Sequence, residues 1–327
     1  MPSTTATRLI EADAQAPGIA TACLRAGGLV ALPTETVYGL GADAASAEAI
    51  ARLYVAKGRP SFNPLIAHVA DLKAARRLAV FDAAAERLAQ AFWPGPLTLV
   101  LPKAKNCPVA ELATAGLVSI AVRVPDAAVA QAILAAFGGP VVAPSANRSG
   151  HVSPTTAAHV MADLGGHIDL IVDAGPTPVG LESTIVGWLG EPTLLRPGAI
   201  PREAIEQVLG RPLAHPPAGR DAPAAPGMLA SHYAPHAKLR LGAAEVRPGE
   251  ALLAFGPQLP AGAAQAAAIL NLSARGECVE AAANLFAHLR ALDRPGISAI
   301  AVMPIPHAGL GEAINDRLAR AGAPRET

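Results

Sequence analysis

Gly28-Leu29-Val30-Ala31-Leu32 runs directly into Pro33-Thr34-Glu35-Thr36-Val37-Tyr38-Gly39-Leu40-Gly41. The first five residues are apolar enough for a buried strand, and Pro33 ends it in a polar turn. The same passage between strand and polar loop recurs. Lys57-Gly58-Arg59-Pro60-Ser61-Phe62-Asn63-Pro64-Leu65 leads into a strand over residues 65–69, and Ala143-Pro144-Ser145-Ala146-Asn147 follows one over 141–143. A core needs none of these hydroxyls, amides and cations. They predict a polar, anion-attracting cleft at the ends of buried strands.

The surrounding chain fits an α/β domain. Residues 46–57 read as a helix, with Ser46 as cap and Ala49, Ile50, Leu53 and Tyr54 as its apolar stripe. Further helices are expected over 82–93 (ended by Pro94-Gly95-Pro96), 126–137 with Asp126 as cap, 155–164 after Ser153-Pro154, and 201–209. Strands are expected over 97–101, 118–122, 170–172, 185–189 and 194–196. Strands and helices alternate without a strict βαβ repeat, which predicts a mixed, twisted open sheet with helices.

This domain is expected to span residues 1–212. Residues 213–238 read as a linker, because two Pro- and Gly-rich stretches cannot hold a helix or strand. The linker nevertheless ends in Ser231-His232-Tyr233-Ala234-Pro235-His236, groups for which a plain spacer has no use. It is expected to fold over the cleft as a lid with Tyr233 on the ligand; the competing reading is a tether with Tyr233 packed on the second domain. Residues 239–327 read as a smaller Rossmann-like α/β domain, with strands over 251–255, 267–270 and 297–303 and helices over 278–292 and 311–321. Gly256 and Gly309 follow strands, yet there is no G-x-G-x-x-G and no P-loop, so neither dinucleotide nor P-loop binding is indicated.

The chain of 327 residues is long enough for two domains, and its 26 basic side chains balance 26 acidic ones. A net charge of zero argues against broad attraction to nucleic acid. Cys23, Cys107 and Cys278 lie far apart with no C-x-x-C, so neither a zinc ribbon nor a disulfide framework is expected, and a reducing, cytoplasmic setting fits. The first 13 residues lack the pattern of a signal peptide, and no apolar run is long enough to span a membrane.

The groups able to do chemistry cluster in these loops. Lys57 and Arg59 sit at a helix end, where a cation stabilises the helix dipole by about 0.3–1 kcal/mol. That does not explain Pro60, Asn63 and Pro64, which stiffen the loop, so phosphate binding is the stronger reading. His68 lies inside an apolar strand, where such a histidine is usually a satisfied core residue. Thr34 and Thr36 read as a hydroxyl-rich turn or as ligand contacts, and Glu35 as a general base with no proton named for it. Arg123 is either a solvated strand end or a ligand contact. Ser145 and Asn147, then Ser183-Thr184, then Arg196-Pro197-Gly198 complete a set of five polar loops that a regular topology would gather at one sheet edge. No nucleophile elbow and no metal-ligand cluster is present. Such a site suits phosphoryl or nucleotidyl transfer by positioning and charge stabilisation, with Mg²⁺ carried in by ATP and no side-chain metal site identified.

These strings, together with Trp93-Pro94-Gly95-Pro96-Leu97-Thr98 and Arg123-Val124-Pro125, resemble the YrdC-like domain in order and spacing. The Ser231-His232-Tyr233-Ala234-Pro235 motif and the following domain resemble the longer, two-domain L-threonylcarbamoyladenylate synthases. The resemblance covers about 200 residues plus the linker. It implies a nucleotidyltransferase that converts L-threonine, bicarbonate and ATP to threonylcarbamoyl-AMP and pyrophosphate, the product passing to a tRNA threonylcarbamoyl transferase complex. It further implies that Thr36, His68, Arg123 and Ser183 hold threonine. Arg59, Asn63, Ser119, Ser145, Ser153, Arg196 and Tyr233 would hold ATP, and Lys57 with Arg59 would be catalytic. Two other readings are a carbamoyl-adenylating maturation factor, whose zinc fingers and acylphosphatase domain have no counterpart here, and a non-catalytic RNA- or nucleotide-binding module, which would predict a basic face.

Overall fold

The computed structural model describes residues 6–60, 63–188, 190–216 and 232–324. Among the described residues the strands are β1 (Arg8–Glu11), β2 (Val30–Pro33), β3 (Tyr38–Asp43), β4 (Ile66–His68), β5 (Leu97–Pro102), β6 (Ser119–Arg123), β7 (Val141–Val142), β8 (Leu170–Asp173), β9 (Thr184–Trp188), β10 (Pro192–Arg196), β11 (Lys238–Arg240), β12 (Ala251–Ala254), β13 (Ile269–Asn271) and β14 (Ala299–Val302). The helices are α1 (Ala16–Arg25), α2 (Ala47–Lys57), α3 (Leu72–Ala75), α4 (Ala83–Phe92), α5 (Ala128–Phe137), α6 (Ala157–Leu164), α7 (Arg202–Leu209), α8 (Cys278–Leu292) and α9 (Leu310–Gly322). The first ten strands form one mixed sheet, ordered β1-β8-β2-β3-β7-β4-β6-β5-β9-β10. The other four form a parallel sheet, ordered β11-β14-β12-β13. This is the expected mixed α/β architecture followed by a smaller parallel α/β domain.

Helix α2 forms as its sequence dictates. Ser46 caps it by accepting a hydrogen bond from the Ala49 amide at 3.1 Å, and Ala49, Ile50, Leu53 and Tyr54 are buried. Two other helix starts differ from expectation. Helix α5 begins at Ala128 without a side-chain cap, and the Asp126 amide instead donates to Glu35 Oε2 at 3.0 Å. Helix α6 begins at Ala157, two residues later than expected, with Thr156 as its cap. Strands β1, β3 and β11 and helices α1 and α3 were not expected. Strand β3 was hidden by Gly39 and Gly41, which weaken a strand pattern. Here they permit close packing: a Cβ on Gly41 would lie 2.9 Å from Leu32 Cδ2. Residues 34–37 are therefore the turn of a β2–β3 hairpin, with Pro33 opposite Tyr38.

Strand register sets the site. Parallel pairing places His68 of β4 opposite Arg123 of β6, and antiparallel pairing places Thr98 of β5 opposite the same Arg123. Strand β9 then runs parallel to β5, with Thr184 opposite Leu97 and Ser183 just ahead of it. The β2–β3 turn, the end of β4, the end of β6 and the loop after β7 thus meet at one edge, where open α/β sheets hold ligands.

The two domains share a core. Val37, Val152, Leu181 and Tyr233 belong to the same buried cluster as Leu285, Phe286, Leu289, Ile314 and Leu318 of α8 and α9. Gly180, at φ +73°, makes this docking possible, because a Cβ there would lie 2.5 Å from the Ala282 carbonyl oxygen.

Candidate active site

The sheet edge encloses a cavity of about 50 Å³, lined by polar side chains over an apolar floor of Val37, Ile66, Ala143 and Pro144. Of the residues singled out in the sequence, Arg59, His68, Arg123, Ser145, Ser183, Arg196 and Tyr233 line it directly.

On one side, Arg123 is the hub. Its Nη2 donates to Glu35 Oε1 at 2.5 Å and to Thr36 Oγ1 at 3.0 Å, and its Nε to the Gly95 carbonyl at 3.3 Å. Thr36 is fully buried and reaches the cavity through this contact; its hydroxyl also shares a 2.8 Å hydrogen bond with Thr34. Both oxygens of Glu35 are occupied, by Arg123 and by the Asp126 amide, so Glu35 is a structural counter-ion and not a free general base.

His68 is buried, and its Nδ1–H donates to the Ile66 carbonyl at 3.2 Å. Burial, reinforced by the charge of Arg123, pushes its pKa down to about 3. The ring is therefore neutral at pH 7, with Nε2 free to accept a hydrogen bond. His232 is likewise buried and pushed down to about 3, by burial first. Each histidine takes up a proton near pH 6.5 when unfolded but not when folded. Their stabilisation is complete above pH 6.5 and is lost as pH falls toward 3, at up to about 1.4 kcal/mol per pH unit for each. The unfolding midpoint is expected to fall between pH 6.5 and 5, above the carboxylate range, and His68→Gln should make that fall shallower. A midpoint unchanged over this window would contradict the assignment.

On the other side, Arg196 donates from Nη2 to the Ser183 carbonyl at 2.8 Å and to Ser183 Oγ at 3.2 Å, while Ser183 Oγ shares a 2.7 Å hydrogen bond with Thr98. Arg59 donates from Nε to the Asn63 carbonyl and from Nη2 to that of Pro64. Burial lowers its pKa to about 10, and burial lowers that of Arg196 as well. The Asn63 amide group is fully buried with neither atom partnered among the described residues.

Thr36 and Asn63 do not line the cavity themselves, and three further expected site residues, Lys57, Ser153 and Ser119, also stand outside its lining. Lys57 ends α2, but its Nζ turns away from the helix carbonyls and donates to those of Ser145 and Asn147, both at 2.5 Å. Burial and the charge of Arg59 hold its ammonium well below the ordinary lysine range. Ser153 donates to Glu182 Oε1 at 2.5 Å. Ser119 shares a face of β6 with Ala121 and Arg123 by pleat alternation, but lies about 13 Å along the strand from Arg123.

The expected linker is described only at its ends, and residues 217–231 lie outside the described residues. His232 and Tyr233 return to the cavity. Tyr233 is at φ +62°, a conformation rare for a non-glycine residue. Its ring stacks on Phe286 of α8 at 5.6 Å, so it both lines the cavity and packs on the second domain. The packing of Tyr233 on the second domain is thus observed, while the lid reading falls mainly on residues 217–231, outside the described residues.

Sequence reasoning missed Glu182, a cavity carboxylate adjoining Ser183, and Arg317, which binds it from α9. A larger concavity of about 1230 Å³ lies between α3, residues 104–108 and the end of α5. It has exposed Arg25, Lys73, Arg77 and Lys105 at its rim, but none of the buried, unpartnered polar atoms found around the sheet edge at Asn63, Asn147, His232 and Tyr233. Size alone does not choose the site.

Residues 22–198 match the Sua5/YciO/YrdC family, described as Telomere recombination, and residues 200–323 match the family described as Threonylcarbamoyl-AMP synthase, C-terminal domain. A threonylcarbamoyl-AMP synthase of Pyrococcus abyssi is 42% identical over 326 residues, covering 94% of this chain and 94% of the relative. One of Bacillus subtilis is 41% identical over 323 residues, covering 94% and 92%. The crystal structure of P. abyssi Sua5 complexed with L-threonine superimposes with a TM-score of 0.87 at 38% identity, covering 97% of this chain and 98% of that one. A variant of that protein with an adjoining histidine and tyrosine both changed to alanine superimposes with a TM-score of 0.86, at 38% identity and with coverages of 97% and 96%. The His-Tyr dipeptide of the present chain is His232-Tyr233.

Proposed function

The chain belongs to the threonylcarbamoyl-AMP synthase family, and on that premise we propose that it joins L-threonine, bicarbonate and ATP into threonylcarbamoyl-AMP with release of pyrophosphate. The observation that carries this reading is a buried excess of positive charge. Lys57, Arg59, Arg123, Arg196 and Arg317 are buried around the cavity, against three carboxylates, the buried Glu35 and Glu182 and the partly buried Asp316. Burying cations without equal counter-charge is costly, and anionic ligands relieve that cost. A carboxylate, a carbamate and a triphosphate are such ligands.

In this reading the threonine carboxylate meets Arg123, and neutral His68 accepts from the substrate through Nε2. Thr36 and Ser183 supply hydroxyl contacts. The threonine amine attacks bicarbonate with loss of water to give a carbamate. A carbamate oxygen then attacks the α-phosphorus of ATP, the bond to the bridging oxygen breaks, and pyrophosphate leaves. That is nucleotidyl transfer, and the protein's task is positioning and charge stabilisation. Arg59 and Arg196 offer planar guanidinium forks to phosphate oxygens. Asn63, Ser119, Ser145, Ser153 and Tyr233 complete the ATP contacts, with Ser119 and Ser153 at its outer reaches. Lys57 fixes the Ser145–Asn147 loop from behind, and an anion brought to that loop would restore the ammonium charge near the carbamate and α-phosphate. Glu182 is committed to Ser153 and Arg317, so Mg²⁺ would enter and leave with the triphosphate.

Two further readings follow from this one. His232 and Tyr233 would close the site as a lid, protecting a mixed anhydride from water. The product would pass to a tRNA threonylcarbamoyl transferase complex in the cytoplasm; among the described residues no helix is long and apolar enough to cross a membrane.

Specificity tests the reading. A site that pairs a buried polar group with the threonine hydroxyl rejects an analogue lacking it by about 10⁴–10⁵. Pyrophosphate release should therefore be far faster with L-threonine than with L-valine, and L-serine should be intermediate. Equal rates with valine and threonine would refute the proposed substrate.

A further inference from the structure

Arg317 lies on α9, in the C-terminal domain, yet it is fully buried directly behind Glu182 and against Tyr233, both of which line the cavity. Its Nε donates to Glu182 Oε2 at 2.8 Å and its Nη1 to Asp316 Oδ2 at 2.6 Å. Its Cζ lies 5.1 Å from the centre of the Tyr233 ring, within range of a cation–π contact. The other oxygen of Glu182 accepts from Ser153, so the chain of contacts runs from the second domain through a cavity carboxylate to a residue proposed for ATP. Nη2 of Arg317 is buried without a partner among the described residues.

Two more ion pairs join the domains, Arg202–Glu312 at 2.6 Å and Arg290–Asp163 at 2.9 Å. Arg290 also donates to the Val152 carbonyl, beside Ser153. These two pairs and the shared apolar cluster already dock the domains. A buried pair such as Arg317–Glu182 adds little to stability that well-packed apolar residues of similar volume would not add. Its place behind two lining residues, Glu182 and Tyr233, gives it another use.

We infer that Arg317 is a positioning residue of the active site, supplied by the C-terminal domain: it fixes Glu182, and through it Ser153, and holds the Tyr233 ring over the nucleotide side of the cavity. The inference rests on the reading of the cavity as an adenylation site. It assigns the second domain a direct part in assembling that site.

The test compares Arg317→Met, Arg317→Lys, Glu182→Gln and the double variant Arg317→Met/Glu182→Gln in the full-length chain. Steady-state constants for ATP and L-threonine are measured beside thermal midpoints. Arg317→Met strands a buried carboxylate and displaces its neighbours, and misplacement of this kind costs about 10²-fold in kcat/KM for ATP. The threonine KM should move less than the ATP constants, because Thr36, His68 and Arg123 lie outside this network and only Ser183, next to Glu182, adjoins it. The double variant should recover about tenfold of the loss, since it removes the stranded charge, and such non-additivity marks a coupled pair. If Arg317→Met does not fold, Arg317→Lys carries the test: it keeps the charge, loses the fork, and should show the same split between the two substrates. Wild-type constants in Arg317→Met would overturn the inference. So would losses that are equal for both substrates and track the thermal midpoint across the set. Binding of a fluorescent ATP analogue, measured without turnover, separates the two proposals. Weakened binding in Arg317→Met supports positioning even if the wild type makes no threonylcarbamoyl-AMP. Unchanged binding beside an active wild type removes the positioning role alone.

Discussion

Arg59→Ala is expected to lower kcat/KM for ATP by about 10²–10³, the range for removing a preorganised charge aimed at a transition state. The side chain is held on the carbonyls of Asn63 and Pro64 and presents its fork at the cavity. Those two hydrogen bonds fix its direction before any ligand arrives, so no ordering cost falls on the reaction itself. Burial already disfavours the guanidinium charge. A triphosphate restores that charge's partner, and the same anion gains most in the transition state. Arg59→Lys keeps the charge but loses the fork and should fall between the two. The thermal midpoint should move little, because the truncated side chain borders a cavity that water can fill. Pyrophosphate release by Arg59→Ala within about threefold of wild type would contradict this account.

Arg123→Met is expected to destabilise the fold by about 3–5 kcal/mol, because it leaves Glu35 buried with no charged partner. The pair is mutual: Arg123 is 4% exposed and Glu35 8%, and the two are 2.5 Å apart. Adding Glu35→Gln should return much of the lost stability, since the uncompensated charge is gone. Activity should not return with it, because Thr36 and the proposed threonine carboxylate still lack the guanidinium. Denaturant unfolding of the single and double variants measures the first effect, and the threonine KM the second. A single-variant loss below about 1 kcal/mol would mean that Glu35 is better solvated than its burial indicates.

What the sequence reveals is local. The run 28–32 into Pro33, the Ser46 cap with its stripe, and the apolar residues around His68 are decided within a few residues, and the structure follows them. Strand β3 is not legible, because Gly39 and Gly41 carry no strand preference and earn their place only against Leu32 and Ala143, which are distant in sequence or on a neighbouring strand. Asp126 looks like a helix cap because its neighbours suit one, but its amide is taken by Glu35, 91 residues away. The same limit applies to the site. Polar loops after buried strands announce Arg59, Arg123, Ser145, Ser183 and Arg196 as a group, whereas His68, inside an apolar strand, joins them only through the family resemblance. Nothing near Arg317 announces that it meets Glu182, 135 residues earlier. A basic residue on an amphipathic helix reads as solvent-facing until the packing of two domains buries it.

The central claim is that this cavity couples carbamate formation to adenylation. The most direct measurement supplies ¹³C-bicarbonate with ATP and L-threonine and follows both pyrophosphate and the adenylated product by mass spectrometry. The account predicts a product containing threonine, AMP and one labelled carbon, formed only when all three substrates are present and in step with pyrophosphate. Pyrophosphate and AMP released without threonine, or an adenylated product carrying no label, would contradict it.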